Sequence, residues 1–365
     1  MAFSAKHTAL TRVLKRFCKG VAVPGRVRIS DVASAAGVSI ATVSAALNGV
    51  ESARISADTR LRVRETAARL GYVPNRLAQG LRVQRSGTIG FIGDTVATTP
   101  YAVGMILGAL EVARAAGRVV VLVNTEGDPE LEARELATLL QHQVDGVLYA
   151  TMYHRSVEVP SGLGATPVVL VDAESSERGV SSVVPDEVAG AVTAVGELLE
   201  HGHRRIGFIN NPDPILAATG RLEGYKRALN QAGIGLDPTL IVTAPSIGPE
   251  GGYRAARQLL ELPARPTGLF CFRDLMAMGV YQAAMEAGLR IPQDLSVVGF
   301  DNMEFAAGLY PGLTTVALPH YEMGFWGVQQ LLAVMESPTE RAKQVRLSGQ
   351  LVRRRSVAPP PVDVT

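Results

Sequence analysis

From residue 88 onward, short apolar runs alternate with helical stretches, and this alternation constrains the fold more than any other feature of the chain. Strand-like runs fall at 88–92, 119–123, 146–149, 168–171, 205–209, 268–272 and 296–300. Each is close to continuously apolar rather than apolar at every second position, the pattern of strands buried on both faces of a parallel sheet. Helical spacing fits between them at 101–116, 129–142, 186–201, 220–232, 250–261, 274–287 and 320–336. Parallel neighbours need crossover connections, and helices of this length supply them. The stretch is too long for one six-stranded sheet, so the sequence predicts an α/β body over 87–355 made of two doubly wound parallel-sheet subdomains. No internal repeat indicates a solenoid.

Residues 28–73 follow a different pattern. Ser30 can cap a short helix over 31–36 that Gly37 ends, and Ser39 can cap a second over 40–47 that Asn48-Gly49 stops. A third helix is expected from Ser56 to Gly71. Two short helices joined by a glycine-containing turn form a helix-turn-helix, so a small all-α domain is expected at the head of the chain. Val32, Ala36, Val38, Val43 and Leu47 would pack inward, leaving Ile40, Ala41, Ser44 and Ala45 outward on the second helix. Charge separates the same parts. Residues 1–87 hold 15 Lys/Arg against four acidic residues, a net +11, while the remainder holds 21 against 30, a net −9. A basic head on an acidic body suits a polyanion at one end.

The ends and the join read as linkers. Residues 1–27 are expected to be a disordered extension, although Leu10, Val13, Leu14 and Phe17 share a helical spacing with basic residues around them. Residues 74–86 open with Pro74 and include a segment, 75–82, too short to hold a helix alone in water. Residues 356–365 are expected to be a disordered tail. Cys18 and Cys271 give no disulfide framework, no run reaches the roughly 20 apolar residues of a membrane span, and no signal peptide is legible. A cytoplasmic, nucleoid-associated location is expected.

Ile29-Ser30-Asp31-Val32-Ala33, Ala36-Gly37-Val38-Ser39, Thr42-Val43-Ser44, Leu47-Asn48 and Leu70-Gly71-Tyr72-Val73-Pro74-Asn75 occur in one order and spacing. Together they resemble the head of the lactose-repressor (LacI/GalR) family. The resemblance continues through Asp145-Gly146-Val147, His203-Arg204-Arg205-Ile206-Gly207-Phe208, Arg221-Leu222-Glu223-Gly224-Tyr225, Ser296-Val297-Val298-Gly299-Phe300-Asp301 and Leu313-Thr314-Thr315-Val316, and so covers about residues 28–355. It implies a periplasmic-binding-protein-like body with a small effector in the cleft, a homodimer, and double-stranded operator DNA as partner.

The same resemblance places the second helix in the major groove. Ile40 and Ala41 stand at the base-reading positions and offer apolar contact suited to a thymine methyl. Ser39, Thr42 and Ser44 are expected at phosphates. Ala45 stands where relatives often carry Arg, which removes a strong contact. Asn48 and Asn75 belong to the matching motifs. Residues 75–82 look like a hinge helix whose Leu81 wedges into a minor-groove step, with Arg82 along the groove or a phosphate. In the cleft the resemblance points to Tyr101, Asp172, Arg221, Arg273 and Asp301. Arg221 and Asp301 match positions that hydrogen-bond hydroxyl-rich ligands, and Arg273 stands where Asn is usual before an Asp.

A carbohydrate or sugar derivative is the expected effector, with a nucleobase, or no small molecule at all, as alternatives. An exported binding protein would share the body but has no use for residues 28–82. No GxGxxG after a strand, no P-loop and no GxSxG elbow is present, so an enzyme is not expected. No cofactor or metal is expected, and His201 and His203 read as surface residues.

Overall fold

A computed structural model of the protein describes residues 27–47, 55–72, 85–99, 102–177, 179–337, 339 and 341–361. The chain divides into two compact units, Met1–Gln84 and Arg85–Thr365. The expected extension up to residue 26 and nearly all of the expected hinge segment lie outside the described residues.

In the first unit the described helices are α1 (Ile29–Ala36), α2 (Ile40–Leu47) and α3 (Ala57–Leu70). Helix α1 begins two residues earlier than expected, and Ser30 is not its cap. The Asp31 carboxylate instead accepts the backbone N–H of Arg28 at 2.8 Å, which satisfies a donor of the first turn. Gly37 adopts φ +65°, open to glycine without steric cost, and ends α1. The chain then turns by 102° into α2, where the Ser39 hydroxyl accepts the N–H of Thr42 at 3.1 Å. Ser56 caps α3 in the same way through Thr59. Val32, Ala33 and Ala36 of α1, Val43 and Ala46 of α2, and Val63 and Ala67 of α3 make one buried core. Four of these seven are alanines, which lets helices of eight residues approach closely. Val38 and Leu47 lie half-buried at its edge.

The second unit holds two six-stranded sheets. The first lobe is built on β1 (Thr88–Gly93), β2 (Val119–Asn124), β3 (Gly146–Ser156), β4 (Val168–Glu174), β5 (Ser181–Pro185) and β11 (Gln344–Leu347), in spatial order β11-β5-β4-β3-β1-β2. Its strands run parallel, with Ile89 opposite Gly146 and Val120. Alternate residues face opposite layers: Phe91 and Leu148 join α4 (Val103–Ala115) and α11 (His320–Glu336), whereas Ile92, Val147 and Tyr149 join α5 (Pro129–Gln141). Burial on both faces explains the continuous apolar runs.

The second lobe carries β6 (Ile206–Asn210), β7 (Ile241–Thr243), β8 (Gly268–Cys271), β9 (Ser296–Asp301), β10 (Thr314–Ala317) and β12 (Gln350–Val352), in order β12-β10-β9-β8-β6-β7. It is parallel except for β12, which pairs antiparallel with β10. Around it stand α6 (Glu187–Glu200), α7 (Leu216–Gln231), α8 (Pro249–Leu260), α9 (Asp274–Glu286) and the short α10 (Glu304–Gly308). The chain crosses between lobes three times, from β5 into α6, from β10 into α11, and from β11 into β12. At the first and third crossings the N–H of Asp186 donates to the carbonyl of Leu347 at 2.8 Å, tying the two strands together.

The expected tail needs correction. Residues 356–361 are packed on the second lobe: Ser356 is fully buried, its hydroxyl donates to Val297 O at 2.6 Å, and it accepts the Thr314 N–H at 2.8 Å. His203 is also corrected from surface to core. Its Nε2 donates to Ala358 O at 2.9 Å, its Nδ1 lies 2.9 Å from the Thr267 hydroxyl, and burial lowers its pKa. Proline content suggested disorder, but satisfied backbone groups and a buried histidine hold this segment down.

Candidate nucleic-acid interface and ligand cleft

Helix α2 exposes part of the face expected to point outward. Ile40 is 52 % exposed at the start of the helix. Ala41 and Ser39 are exposed beside it, and Thr42, Ser44 and Ala45 are half-buried. Ser39 and Thr42 do two things at once: their hydroxyls lie 2.9 Å apart, and Ser39 caps the helix. Anions favour such a helix start, where backbone N–H groups point outward. Helix α3 adds exposed Arg62, Arg64 and Arg69, which the motif-based reading passed over. Asn48, Asn75, Leu81 and Arg82 lie outside the described residues.

In the body, the candidates that are described converge. Asp172 lies near the carboxyl end of β4, Arg273 follows β8, Asp301 ends β9, and Arg221 lies in the second turn of α7. Ligands of open α/β sheets bind beyond the carboxyl ends of the strands, where these residues stand. Tyr101 lies outside the described residues.

Arg221 is 2 % exposed and serves as the centre of the cluster. Its Nε donates to Glu187 Oε2 at 2.7 Å, its Nη1 donates to the carbonyl of Phe272, and Asp301 Oδ1 lies 3.7 Å from Nη1. The guanidinium is held between the rings of Phe272 and Phe300, 4.2 and 3.8 Å from their centroids. Arg221 is therefore buried and paired on every side. Asp301 also takes Arg273, whose Nε stands 3.4 Å from Oδ2. Arg273 Nη1 then donates to the hydroxyl of Tyr153, on the far end of β3, at 2.9 Å.

Asp172 is 2 % exposed, and its Oδ1 has no hydrogen-bond partner among the described residues. Burial, reinforced by the nearby Glu187 carboxylate, pushes its pKa well up, against the pull of Arg221. Burial likewise raises Asp301 to about 6 despite Arg221 and Arg273, and Asp274 to about 7. Asp274 is a support rather than a ligand group. It accepts the Thr315 hydroxyl at 2.6 Å and the Met303 N–H at 2.7 Å, bracing the turn that carries Asp301. Asp172, Asp301 and Asn302 all adopt positive φ (+56°, +107° and +53°). Non-glycine residues held there are uncommon and cluster at ligand clamps.

Four participants were not singled out from the sequence. Glu187 was hidden in a helical pattern. Tyr153 and Arg155 lie on the part of β3 beyond residue 149, past the end of the legible apolar run. Asp94 accepts the Met152 N–H at 3.3 Å and pairs with Arg155. Among the described residues, no group of three His, Cys, Asp or Glu could hold a metal ion. A separate groove lined by Met285, Leu309 and Tyr310 contains no carboxylate and lies apart from this cluster.

Comparison with known proteins gives a consistent picture. The profile of bacterial regulatory proteins of the lacI family matches residues 28–75, and that of a periplasmic binding protein-like domain matches 195–357. A ribose operon repressor of Haemophilus influenzae is 34% identical over 332 residues, covering 90% of this chain and 98% of its own. The crystal structure of the lac repressor dimer bound to operator and an anti-inducer superposes with a TM-score of 0.77 at 27% identity, covering 91% of this chain and 99% of its own. A regulator of Enterococcus faecium with bound ribose superposes at 0.62 and 28% identity, covering 74% and 99%.

Proposed function

The chain belongs to the lacI family of bacterial regulatory proteins, DNA-binding regulators of transcription rather than enzymes, and from that premise we propose that it is a repressor gripping its operator as a homodimer under the control of a sugar. The observation that carries the sugar reading is the buried cluster of Asp172, Arg221, Arg273 and Asp301 at the carboxyl ends of both sheets. A sugar hydroxyl both donates and accepts, and this cluster offers both: an acceptor oxygen on Asp172 with no partner among the described residues, and guanidinium donors fixed by neighbours.

The charges favour a neutral ligand. Arg221 is set against Glu187 and Asp301, and Arg273 against Asp301, so the guanidinium charges are already opposed by carboxylates. The same contacts weigh against a nucleobase. A base gains most by stacking, yet the Phe272 and Phe300 rings have the Arg221 guanidinium on their faces. D-Ribose is the first candidate, because relatives and a structural neighbour are associated with it by name.

Control of DNA binding follows from the crossings. Three strands join the lobes, so a ligand that prefers one lobe angle shifts the angle by its differential affinity alone. In the dimer this angle sets the spacing of the two hinge segments at 75–82, where paired Leu81 side chains wedge into the minor groove. The second copy has a surface to meet: Val103 and Leu107 of α4, with Val119, Val121 and Leu122 of the edge strand β2, are exposed together. An uncovered apolar edge strand invites pairing, and a two-fold partner covers it.

The test has two arms. Calorimetry of the purified chain against D-ribose and a panel of other sugars and nucleobases should give heat with a sugar. A mobility-shift titration on DNA flanking the chain's own gene should then show an affinity that changes when that sugar is added. Binding of a nucleobase alone, or an operator affinity indifferent to every ligand that binds, refutes the reading.

A further inference from the structure

The cleft cluster is almost completely closed to solvent, so a solute reaches it only when the lobes part. Asp172, Arg221, Arg273 and Asp301 are each less than 10 % exposed. Among the described residues, parting the lobes away from the crossing strands breaks the charge-assisted hydrogen bond from Arg273 Nη1 to the Tyr153 hydroxyl. We propose that Tyr153 and Arg273 form a clasp across the cleft that sets how readily the lobes open, and hence how fast an effector enters and leaves. This rests on the reading of the cleft as the effector site.

The clasp is anchored on both sides. On the second lobe Arg273 precedes α9, and Asp301 lies 3.4 Å from its Nε. Asp301 is itself on a turn braced by Asp274 and lies beside an arginine fixed by Glu187. On the first lobe Tyr153 packs against the core formed by α4, α11 and the sheet. It is carried on residues 151–156, where β3 runs past β1 and its pairing with β4 shifts register between Ala150 and Arg155. That extension is pinned by two further contacts. Thr151 Oγ1 donates to Asp172 O at 2.7 Å, and Asp94 holds Met152 and Arg155. Neither end can follow the other lobe without disturbing its own anchors, so the bond opens when the lobes separate. The ring of Tyr153 adds a face 5.7 Å from the guanidinium carbon.

Arginine has the reach for this and asparagine does not. With Asn at position 273, the residue usual in the resembling family, the side chain ends three bonds short of where the guanidinium now sits. The clasp is therefore a property of this chain's own substitution.

The test removes the hydroxyl and keeps the ring. In a chain with Cys18→Ser, spin labels on cysteines introduced by Glu130→Cys in α5 and Lys226→Cys in α7, both exposed positions, report the distance between lobes. Dilution with unlabelled chain isolates distances within one copy. Loss of a hydrogen bond to a charged group corresponds to roughly tenfold in the ratio of closed to open forms. Tyr153→Phe should therefore shift the distance distribution to longer, broader values without lowering the α/β unfolding cooperativity. Arg273→Lys should do the same, and the double variant should add little beyond either single one, because both act on one bond. A distribution for Tyr153→Phe that overlays the parent, or additive effects in the double variant, overturns the clasp. D-Ribose, as the named probe, separates this from the function. Opening in Tyr153→Phe with no ribose or other sugar bound would keep the clasp and sink the sugar reading. Sugar binding with unchanged lobe distances would do the reverse.

Discussion

Replacing Arg221 by alanine should destabilise the body through stranded charge, and the size of the loss should depend on pH in a direction the structure fixes. Arg221 and Glu187 are 3 % and 4 % exposed at their side chains, with Asp301 also 4 %. Removing the cation leaves two carboxylates facing each other in a dry pocket. Breaking one side of such a buried pair costs about 3–5 kcal/mol. Loss of the guanidinium between Phe272 and Phe300 leaves a gap on top of that. For a domain of this size each kcal/mol lowers the melting temperature by roughly 2 °C, so a drop of about 6–10 °C is expected near pH 8. The sign of the pH effect follows from Asp301. Its pKa in the folded chain, about 6, already lies above the ordinary carboxylate value because of burial, and Arg221 is the main influence holding it down. Without Arg221 it rises further. A group whose folded pKa is raised adds stability at low pH and loses it as pH climbs through the folded value. The variant's deficit should accordingly shrink between pH 8 and pH 5.5 as the stranded carboxyl takes up a proton. Urea unfolding of parent and variant at both pH values measures the difference. A loss below about 1 kcal/mol, or a deficit that stays constant or grows on acidification, would show that these residues do not act as one charge network.

Three further outcomes are expected. Leu81→Ala should weaken operator binding at least tenfold in a mobility-shift assay while leaving sugar binding unchanged, since an apolar wedge acts only on DNA; equal affinity for the operator refutes the wedge. Val121→Lys places a charge on the exposed edge strand β2 and should turn a dimer into a monomer by light scattering; a persistent dimer removes this edge from the interface. Because burial lowers the pKa of His203, its contribution to stability is present above about pH 6.5 and is lost as pH falls below that value. His203→Gln should flatten that part of the profile, and proteolysis beyond residue 355 should become faster in the variant.

What could be read from the sequence followed how strongly each segment announces its own period. The parallel strands were legible because burial on both faces makes the runs 168–171 and 297–300 within β4 and β9 wholly apolar. Helix α2 was legible because capping and stopping signals sit at both ends of it. The short strands at 241–243 and 350–352 carry too few residues to show any period, and they form only because a sheet edge is already there to pair with. The end of β3 was missed for a related reason: Thr151–Ser156 mixes polar, aromatic and charged residues, and its strand geometry depends on Asp94 and Asp172, which are distant in sequence.

The cleft itself was half legible. Asp172, Arg221, Arg273 and Asp301 were singled out because their neighbours resemble a known pattern, and the fold brings these four together. What each does there was not legible, because it is decided by partners on other elements. Arg221 reads as a ligand group until Glu187 and the two phenylalanines are found around it. Arg273 reads only as a departure from a family pattern that usually has Asn there. In the fold its charge is set against Asp301 and its reach is spent on Tyr153, across the cleft. The substitution thus bears on how the lobes move at least as much as on what they hold. Residues whose role is a contact between lobes carry no local signal, since each half is ordinary on its own element and acquires its chemistry only when three crossing strands bring the halves within 3 Å.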